Sequence, residues 1–480
     1  MSFTERRLRP LVFLSQNGIS QTGVILTTSS AFTLIAFWIY LIVQAKPVHP
    51  YLSILFFLIL PFVFVLGLIL IPLGAWLRRR KLRQRGELPS EYPKIDLRSS
   101  RLRRAVVLVV VMTLINFAIL GAASYKGVEY MDSAQFCGQT CHTVMQPEYT
   151  AFLNSPHSRL SCVECHIGPG APWFVKAKLS GLRQVVAVSL KTYSKPIPSP
   201  VHELRPARDT CEHCHWPQKF TGDKFLVRTK YSDDEKNTPS TSVLLLKIGG
   251  RTSEGLAGIH GRHLSDKERI EYVSIDGRRQ VIPRVTYVGD DGKTVEYVST
   301  EVKATAEQLA AGEHRKMDCV DCHNRPTHAF DMPDRAVDNA ITNGRIARDL
   351  PFVKREAIAA LKASYPDRDT AARQIPEKIS AFYKEKYADA YSSHRAEVEA
   401  AGAAVQAIYL RNIFPDMNVT WGSHPNNIGH DDFLGCFRCH DGNHKSADGK
   451  VISNDCDTCH QVLALEEEKP KVLADLGLKN

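Results

Sequence analysis

The stretch C-G-Q-T-C-H at residues 137–142 and the stretch C-V-E-C-H at residues 162–166 introduce the pattern that decides how this chain folds. The pattern recurs as C-E-H-C-H (211–215), C-V-D-C-H (319–323), C-F-R-C-H (436–440) and C-D-T-C-H (456–460). We number these copies motif 1 to motif 6 in chain order. They contain all 12 cysteines of the 480-residue chain, so no thiol remains for a disulfide or a separate metal site.

Two cysteines followed directly by histidine are the attachment signature of c-type haem. Thiols one helical turn apart can both form thioethers with one porphyrin, and the histidine then supplies an axial nitrogen to the iron. Motif 1 has three residues between its cysteines instead of two, so its loop must bulge. We predict six covalent c-type haems, held by Cys137, Cys141, His142, Cys162, Cys165, His166, Cys211, Cys214, His215, Cys319, Cys322, His323, Cys436, Cys439, His440, Cys456, Cys459 and His460.

Structural zinc, a redox C-x-x-C pair and disulfides are the other interpretations of paired cysteines. None of them requires histidine directly after the second cysteine. Histidine makes up only 18 of the 480 residues, so six such placements are not expected by chance. Haem attachment also requires an oxidising compartment, which indicates a periplasm.

Low-spin electron-transfer haems need a second axial ligand each, and twelve histidines lie outside the motifs. The preferred candidates are His157, His260, His263, His314, His328, His430 and His444. Less favoured are His202, His213, His394 and His424. Met145, three residues after His142, is either a thioether ligand of haem 1 or a core residue. The sequence does not assign any candidate to a particular haem.

The first quarter of the chain predicts a membrane anchor. Apolar segments at residues 24–43, 51–77 and 105–124 are each near the roughly 20 residues that cross a bilayer. The connection 78–104 carries 11 Lys and Arg, so the positive-inside rule makes it cytoplasmic. Three spans then place the chain after residue 124 in the periplasm, anchored to a bacterial inner membrane.

The charge of the chain is unevenly distributed. The formal net charge is +10, and residues 1–104 hold 15 Lys and Arg against four acidic residues. Because these basic residues flank apolar segments, they do not indicate binding to nucleic acid.

The fold class predicted is an α-helical anchor of three spans followed by a haem-packed, mostly irregular and α-helical domain with a small β-hairpin insertion and a helical segment. The β-hairpin insertion follows from β-branched alternation broken by D-G turns. Polar stretches rich in proline and glycine between the motifs cannot bury an aliphatic core, so haem must supply apolar packing. The predicted parts are an anchor (1–124), a three-haem domain (125–235), a β-rich insertion leading to haem 4 (236–330), a helical segment (331–412) and a two-haem module (413–480).

Residues 136–170, F-C-G-Q-T-C-H-T-V-M-Q-P-E-Y-T-A-F-L-N-S-P-H-S-R-L-S-C-V-E-C-H-I-G-P-G, together with motif 3, resemble the NapC/NirT family of membrane-anchored multihaem cytochromes. Later stretches around motifs 4 and 5 resemble the larger, multi-span inner-membrane members from metal-respiring bacteria. The family implies a methionine ligand at haem 1, and Met145 stands one residue beyond the family position. It also implies a quinol-pocket lysine, which falls near Lys178 or Lys176. The family's acidic partner has no clear match, and Glu148 could supply that carboxylate.

The resemblance implies a quinol dehydrogenase that takes electrons from membrane quinol, such as menaquinol, at haem 1. A lysine or carboxylate at the pocket would orient the quinol hydroxyl and accept its proton. Motifs 5 and 6 are then the exit to a periplasmic cytochrome or another redox partner. The alternatives are a terminal reductase of a small nitrogen or sulfur oxyanion and a non-catalytic haem-bearing redox anchor. The sequence does not decide the acceptor or the oligomeric state.

Overall fold

The structure is a computed structural model with two compact units, Met1–Thr140 and Cys141–Asn480. The residues it describes are 9–10, 13–44, 56, 59–89, 92, 100–140, 142–168, 171–201, 204–216, 222–252, 255–265 and 267–478. Each unit is described by itself.

Three long helices form most of the first unit: α1 (Gly18–Gln44), α2 (Leu60–Gln84) and α3 (Ser100–Met131). Two helices among the described residues are long and apolar enough to cross a membrane, over Gly18–Phe37 and Leu60–Gln84. The third predicted segment lies within α3, and its crossing of the membrane stays a prediction. Most of residues 51–58 lies outside the described residues, so the start of the second predicted span is not described.

The second helix extends beyond the predicted end of the second span. Helix α2 continues through the basic residues after position 77 to Gln84, because arginine, lysine and leucine are strong helix formers. The basic connection therefore begins as helix, and α3 extends the third predicted segment at both ends.

Small residues bring α1 and α2 into close contact. A methyl group added at Gly23 would lie 2.7 Å from the carbonyl oxygen of Gly67. The hydroxyl of Ser20 donates a hydrogen bond to the carbonyl oxygen of Ile71 at 2.9 Å. Such interfaces are typical of helices that pair within a bilayer, where close backbone approach replaces the hydrophobic effect.

The second unit combines short helices with antiparallel sheets. Its helices are α4 (His142–Leu153), α5 (Cys162–His166), α6 (Ala171–Ser189), α7 (Ala207–Cys211), α8 (Gly258–His263), α9 (Ala306–Ala311), α10 (Cys319–Cys322), α11 (Pro333–Thr342), α12 (Val353–Lys362), α13 (Arg368–Lys386), α14 (Ala388–Ser393), α15 (Arg395–Asn412), α16 (Cys456–Cys459) and α17 (Lys471–Asp475). Its strands are β1 (Lys224–Tyr231), β2 (Pro239–Leu246), β3 (Gly250–Thr252), β4 (Gly255–Ala257), β5 (Arg269–Ser274), β6 (Arg284–Val288), β7 (Thr294–Ser299), β8 (Glu313–Lys316), β9 (His444–Ser446) and β10 (His460–Glu467).

Two of the sheets contain strands from more than one of the predicted parts. The three-stranded sheet has the order β1-β2-β10, and the five-stranded sheet has the order β8-β5-β6-β7-β9. Strands β9 and β10 come from the predicted two-haem module, and β1 precedes the predicted insertion. The insertion and the module therefore share their sheets, because the hydrogen-bonding edges of β2 and β7 are completed by distant segments.

The largest aliphatic core lies in the helical segment 333–412, built from α11 to α15. Ile375, Ile379 and Tyr383 are among its fully buried side chains. Their spacing of four residues along α13 aligns them on one face, which is why this segment could be predicted as helical.

Candidate haem-binding sites

Side-chain hydrogen bonds cap the first turn of the helices at motif 2 and motif 4. At motif 4, Asp318 accepts a hydrogen bond from the Cys319 N–H at 2.6 Å, and Asp321 accepts one from the Asp318 N–H at 2.7 Å. At motif 2, the Ser161 N–H donates to the Glu164 carboxylate at 3.1 Å. These reciprocal caps start the helical turn that separates the two cysteines of each motif.

Five motif histidines have described side chains, and each faces one histidine from outside the motifs. The ring-centre distances lie between 5.9 and 6.3 Å. The pairs are His166 with His328, His215 with His157, His323 with His260, His440 with His263, and His460 with His430.

These distances fit two imidazoles on opposite sides of one iron. Metal–imidazole bonds are about 2 Å long, so two rings that share a metal have centres roughly 6 Å apart. Aromatic rings also contact one another at such distances. Every described motif histidine has one such partner outside the motifs, an arrangement that fits axial pairing.

Hydrogen bonds on the far side of the rings also fit metal binding. The Nδ1 atoms of His263, His440 and His328 lie 2.8, 2.7 and 2.9 Å from the carbonyl oxygens of Ile259, Ser453 and Glu148. A ligating histidine commonly donates one N–H to a carbonyl, which fixes the ring and leaves the other nitrogen for the metal. Nε2 of each of these rings is the atom that remains for iron.

The pairs do not follow the order of the sequence. His157 precedes motif 2 but faces motif 3, His430 precedes motif 5 but faces motif 6, and His328 follows motif 4 but faces motif 2. Helix α8 presents His260 to motif 4 and His263 to motif 5 from positions three residues apart. One short helix therefore connects two neighbouring sites.

Consecutive motifs from 2 to 6 lie side by side. Thiols of neighbouring motifs lie close to one another in the pairs Cys165–Cys211, Cys211–Cys319, Cys322–Cys436 and Cys436–Cys459. The five sites therefore form one continuous series in chain order.

The motif thiols differ in the direction of their pKa shifts. Burial raises the pKa of Cys322 to about 11 and the pKa of Cys439 to about 12, whereas a hydrogen bond with Cys319 lowers the pKa of Cys211. Within the part of the chain that the structure describes, no cluster of three or more His, Cys, Asp or Glu side chains could hold a metal ion.

Two of the predicted distal ligands, His444 and His314, make hydrogen bonds within the protein. His444 is buried, with Nδ1 at 2.9 Å from an Asp441 carboxylate oxygen and Nε2 at 2.8 Å from the Ile282 carbonyl oxygen. Both ring nitrogens are engaged within the protein. Nε2 of His314, on β8, lies 3.0 Å from the carbonyl oxygen of Leu309. Neither ring faces a described motif histidine, and distal ligation by His444 and His314 stays a prediction.

Motif 1 is described only in part. Residues Phe136–Thr140 form a π-helical turn, a wider turn that accommodates the extra residue between the cysteines. Cys141 and the side chain of His142 lie outside what the structure describes. Met145 lies half-buried on α4, and its ligation of haem 1 stays a prediction.

The two residues predicted for quinol chemistry lie in different settings. The Glu148 carboxylate accepts hydrogen bonds from Arg325 Nη2 at 3.1 and 3.0 Å, and one of its oxygens lies 3.3 Å from His328 Nδ1. This carboxylate is paired with Arg325 and contacts His328, and its role as a proton acceptor for quinol stays a prediction. Lys178 lies half-buried on α6.

Hydrogen bonds connect motifs 4 and 5, a contact that is not predicted from the sequence. Arg438, inside motif 5, is buried and donates hydrogen bonds to the backbone carbonyls of Asp321 and Arg279. The Asp321 carboxylate, inside motif 4, accepts from Tyr272 Oη at 2.6 Å and from Arg315 Nε at 2.8 Å. The sequence signal for this connection is a charged residue at a variable position of each motif, Asp321 in motif 4 and Arg438 in motif 5.

The chain has apolar N-terminal helices, six motifs of two cysteines followed by histidine, and histidine pairs that face each other at the described motifs. Together these features define a membrane-anchored c-type cytochrome of electron transport. Residues 98–197 match the NapC/NirT cytochrome c family, N-terminal region, and the chain belongs to the NapC/NirT cytochrome c family. It is similar to the cytochrome c-type protein ImcH of Geobacter sulfurreducens, with 42% identity over 94% of this chain and 89% of the relative. It is also 32% identical to the cytochrome c-type protein NrfH of Wolinella succinogenes, over 22% of this chain and 65% of that protein. No solved structure matches the chain.

Proposed function

We propose that this cytochrome oxidises membrane quinol and passes the electrons through six covalent haems to a periplasmic acceptor, from a bacterial inner membrane that it crosses three times. The five facing histidine pairs carry the proposal. Two imidazoles on each iron favour fast electron transfer, because both axial positions are filled and no ligand exchange accompanies the change of charge. Haem bound in these sites supplies one-electron exchange at its iron.

The residues of the chain hold and orient the axial rings. The carbonyls of Ile259 and Ser453 fix His263 and His440, and the Arg325–Glu148 ion pair positions His328. Hydrogen bonds to the far ring nitrogen also raise the basicity of the ligating nitrogen, which stabilises the oxidised metal. The side-by-side series of motifs 2 to 6 supports a route from the membrane end of the chain toward motifs 5 and 6.

The quinol site is proposed near motif 1, the first motif after the anchor. Quinol oxidation releases two protons, and a positioned amine or water must accept them. Lys178 is the candidate for holding the quinol hydroxyl, since Glu148 is already engaged by Arg325.

The test uses the full-length protein in lipid nanodiscs and a reduced menaquinol analogue. We expect the haem absorbance to change to the reduced form, and Lys178→Ala to slow this change roughly 100-fold, as expected for loss of one proton-handling group. Lys224→Ala, at an exposed lysine on β1 of the same unit, is the control. Dithionite should reduce all variants equally. A protein that dithionite reduces but menaquinol does not would contradict the proposal.

A terminal reductase is less well supported. Reduction of a small oxyanion needs an iron with an open axial position, and the five pairs provide two rings for each described site. We expect the dithionite-reduced protein to show no turnover with nitrite or hydroxylamine. Rapid reoxidation by either substrate, with a high-spin signal in the resting protein, would favour the reductase instead.

A further inference from the structure

We propose that helix α6 is an interfacial helix, which holds the haem-bearing unit against an anionic membrane surface. Five large apolar side chains of α6 are exposed, and four of them share one face: Val175, Leu179, Leu182 and Val186, with 55, 66, 64 and 49% of their surface accessible. The fifth, Val185, is 55% accessible and lies beside them. The spacing of four, three and four residues places the four in one stripe along the helix. Such a contiguous apolar surface marks an interaction site.

The opposite side of α6 already has its packing partners. Val188 packs against a small buried cluster formed by Val144, Phe414, Met417 and Val419. The helix is therefore docked to its own unit through one side, and the exposed stripe faces away from that contact. None of the five facing histidine pairs includes a residue of α6, so the stripe lies outside those five sites.

The charges beside the stripe identify the partner as a lipid surface. Residues 171–191 contain no Asp or Glu, and they contain Lys176, Lys178, Arg183 and Lys191. At 100° per residue, Lys176 and Arg183 lie on one flank of the stripe and Lys178 lies on the other. Basic residues on both flanks of an apolar stripe let the stripe enter the acyl boundary while the charges meet anionic headgroups.

A tryptophan lies at the beginning of the same helix. The Lys176 ammonium lies 5.1 Å from the centre of the Trp173 ring. At 100° per residue, Trp173 lies on the side of α6 opposite to the stripe, so it does not identify the partner. The assignment of the stripe to lipid rests on the apolar side chains and on the basic residues along both flanks.

The consequence is a second attachment of this cytochrome to the membrane besides its apolar N-terminal helices. Each basic residue near an anionic surface adds to the attraction, and the four apolar side chains add burial in the acyl boundary. The inference does not depend on quinol oxidation, since it concerns only where the haem-bearing unit rests.

The experiment compares two substitutions of the same chemistry on α6 in the full-length protein. Leu182→Glu places a carboxylate in the stripe, and Gln184→Glu places one on an exposed position outside it. Both proteins are reconstituted in nanodiscs of phosphatidylethanolamine and phosphatidylglycerol and are labelled with a photoreactive probe dissolved in the lipid phase. Mass spectrometry then measures labelling of residues 171–191, with covalent haem content measured on the same samples.

We expect labelling of the wild-type segment and of Gln184→Glu, and roughly a tenfold loss of labelling in Leu182→Glu at unchanged haem content. Labelling should also fall several-fold in nanodiscs of phosphatidylcholine alone, because the anionic headgroups are absent. An unlabelled wild-type segment would overturn the inference. Loss of haem from Leu182→Glu would also overturn it, because the stripe would then be packing against a haem. Equal labelling in both lipids would overturn the anionic preference.

Discussion

The helical segment 333–412 and the motif-bearing parts of the same unit are stabilised in different ways. The helical segment has long helices and a continuous aliphatic core in which Ile375, Ile379 and Tyr383 are fully buried. The motif-bearing parts have helices of four or five residues and small separate clusters, such as the one around Tyr272, Ile282 and Val285. Helices this short do not form without external support.

The comparison indicates where haem is needed for folding. A segment that buries its own aliphatic side chains can fold without a cofactor, whereas a segment of short turns and facing histidines gains its order from a group bound between the rings. We therefore expect the two regions to respond oppositely to loss of haem and to loss of aliphatic volume.

The largest effect is expected from blocking attachment at motif 4. The double substitution Cys319→Ser and Cys322→Ser removes both thioether bonds of the proposed haem 4. The facing rings of His323 and His260 would then lose the haem between them. We expect one haem fewer and a loss of amide-exchange protection around α8 and α10, with residues 333–412 unchanged. Hydrogen-exchange mass spectrometry measures both regions in one sample. Equal loss of protection in the helical segment would contradict the comparison.

The second prediction concerns the helical segment, with the motif-bearing parts expected to stay unchanged. Ile379→Ala creates a cavity in the core of the helical segment and should lower its free energy of unfolding by roughly 2–5 kcal/mol. Haem content and the Soret spectrum should not change. Glu377→Ala, at an exposed position on the same helix, is the control and should change the free energy by less than about 0.5 kcal/mol. Denaturant unfolding followed by circular dichroism measures the difference, and haem loss from Ile379→Ala would count against separate stabilisation.

A smaller effect on stability is expected when the pH is lowered, and it arises from His424 in the motif-bearing parts. His424 is 4% exposed, and burial, followed by the charge of Arg325, lowers its pKa to about 4. Glu148 opposes this shift and Arg278 adds to it. The unfolded chain binds a proton near its ordinary pKa of about 6.5 while the folded protein does not, so stability falls as the pH drops from about 6.5 to about 4.

The size of the His424 contribution is up to about 3 kcal/mol over that pH window. His424→Gln should flatten the dependence of the free energy of unfolding on pH, measured by denaturant titration at several pH values. His394→Gln, an exposed histidine in the helical segment, should leave the slope unchanged. A wild-type protein equally stable at pH 6.5 and pH 4 would show that His424 is not held neutral.

The smallest effect on stability, and the most local, is expected from His430→Ala. His430 is exposed and faces His460 with ring centres 6.2 Å apart. Its removal should convert one haem from low spin to high spin, about one sixth of the signal in the proposed six-haem protein. Electron paramagnetic resonance measures the change, and His394→Ala is the control. An unchanged spectrum would mean that His430 is not the ligand opposite His460.

The sequence predicted the chemistry of this protein better than its topology. The motifs and the helices of residues 331–412 follow from local spacing, which a single chain segment displays. The sharing of sheets between the predicted insertion and the predicted two-haem module could not be predicted, because β9 and β10 pair with strands far away in the chain.

The predicted distal histidines show the same limit. His328 and His444 both stand close to a motif in sequence, but one faces His166 and the other bonds to Asp441 and the Ile282 carbonyl. Proximity along the chain does not distinguish these roles, because a ring must arrive from the opposite side of the porphyrin. The sequence offers Glu148 as a candidate proton acceptor, but it does not show that this carboxylate contacts Arg325.

The sequence by itself predicts where haem is attached, since two thioethers and one axial nitrogen must come from five or six consecutive residues. The membrane anchor was likewise determined locally, by runs of apolar residues. Only the tertiary structure decided which histidine faces which motif and that motifs 2 to 6 lie in one series. The physical reason is that the second axial ligand must come from another segment, and its choice depends on how all of the segments pack together.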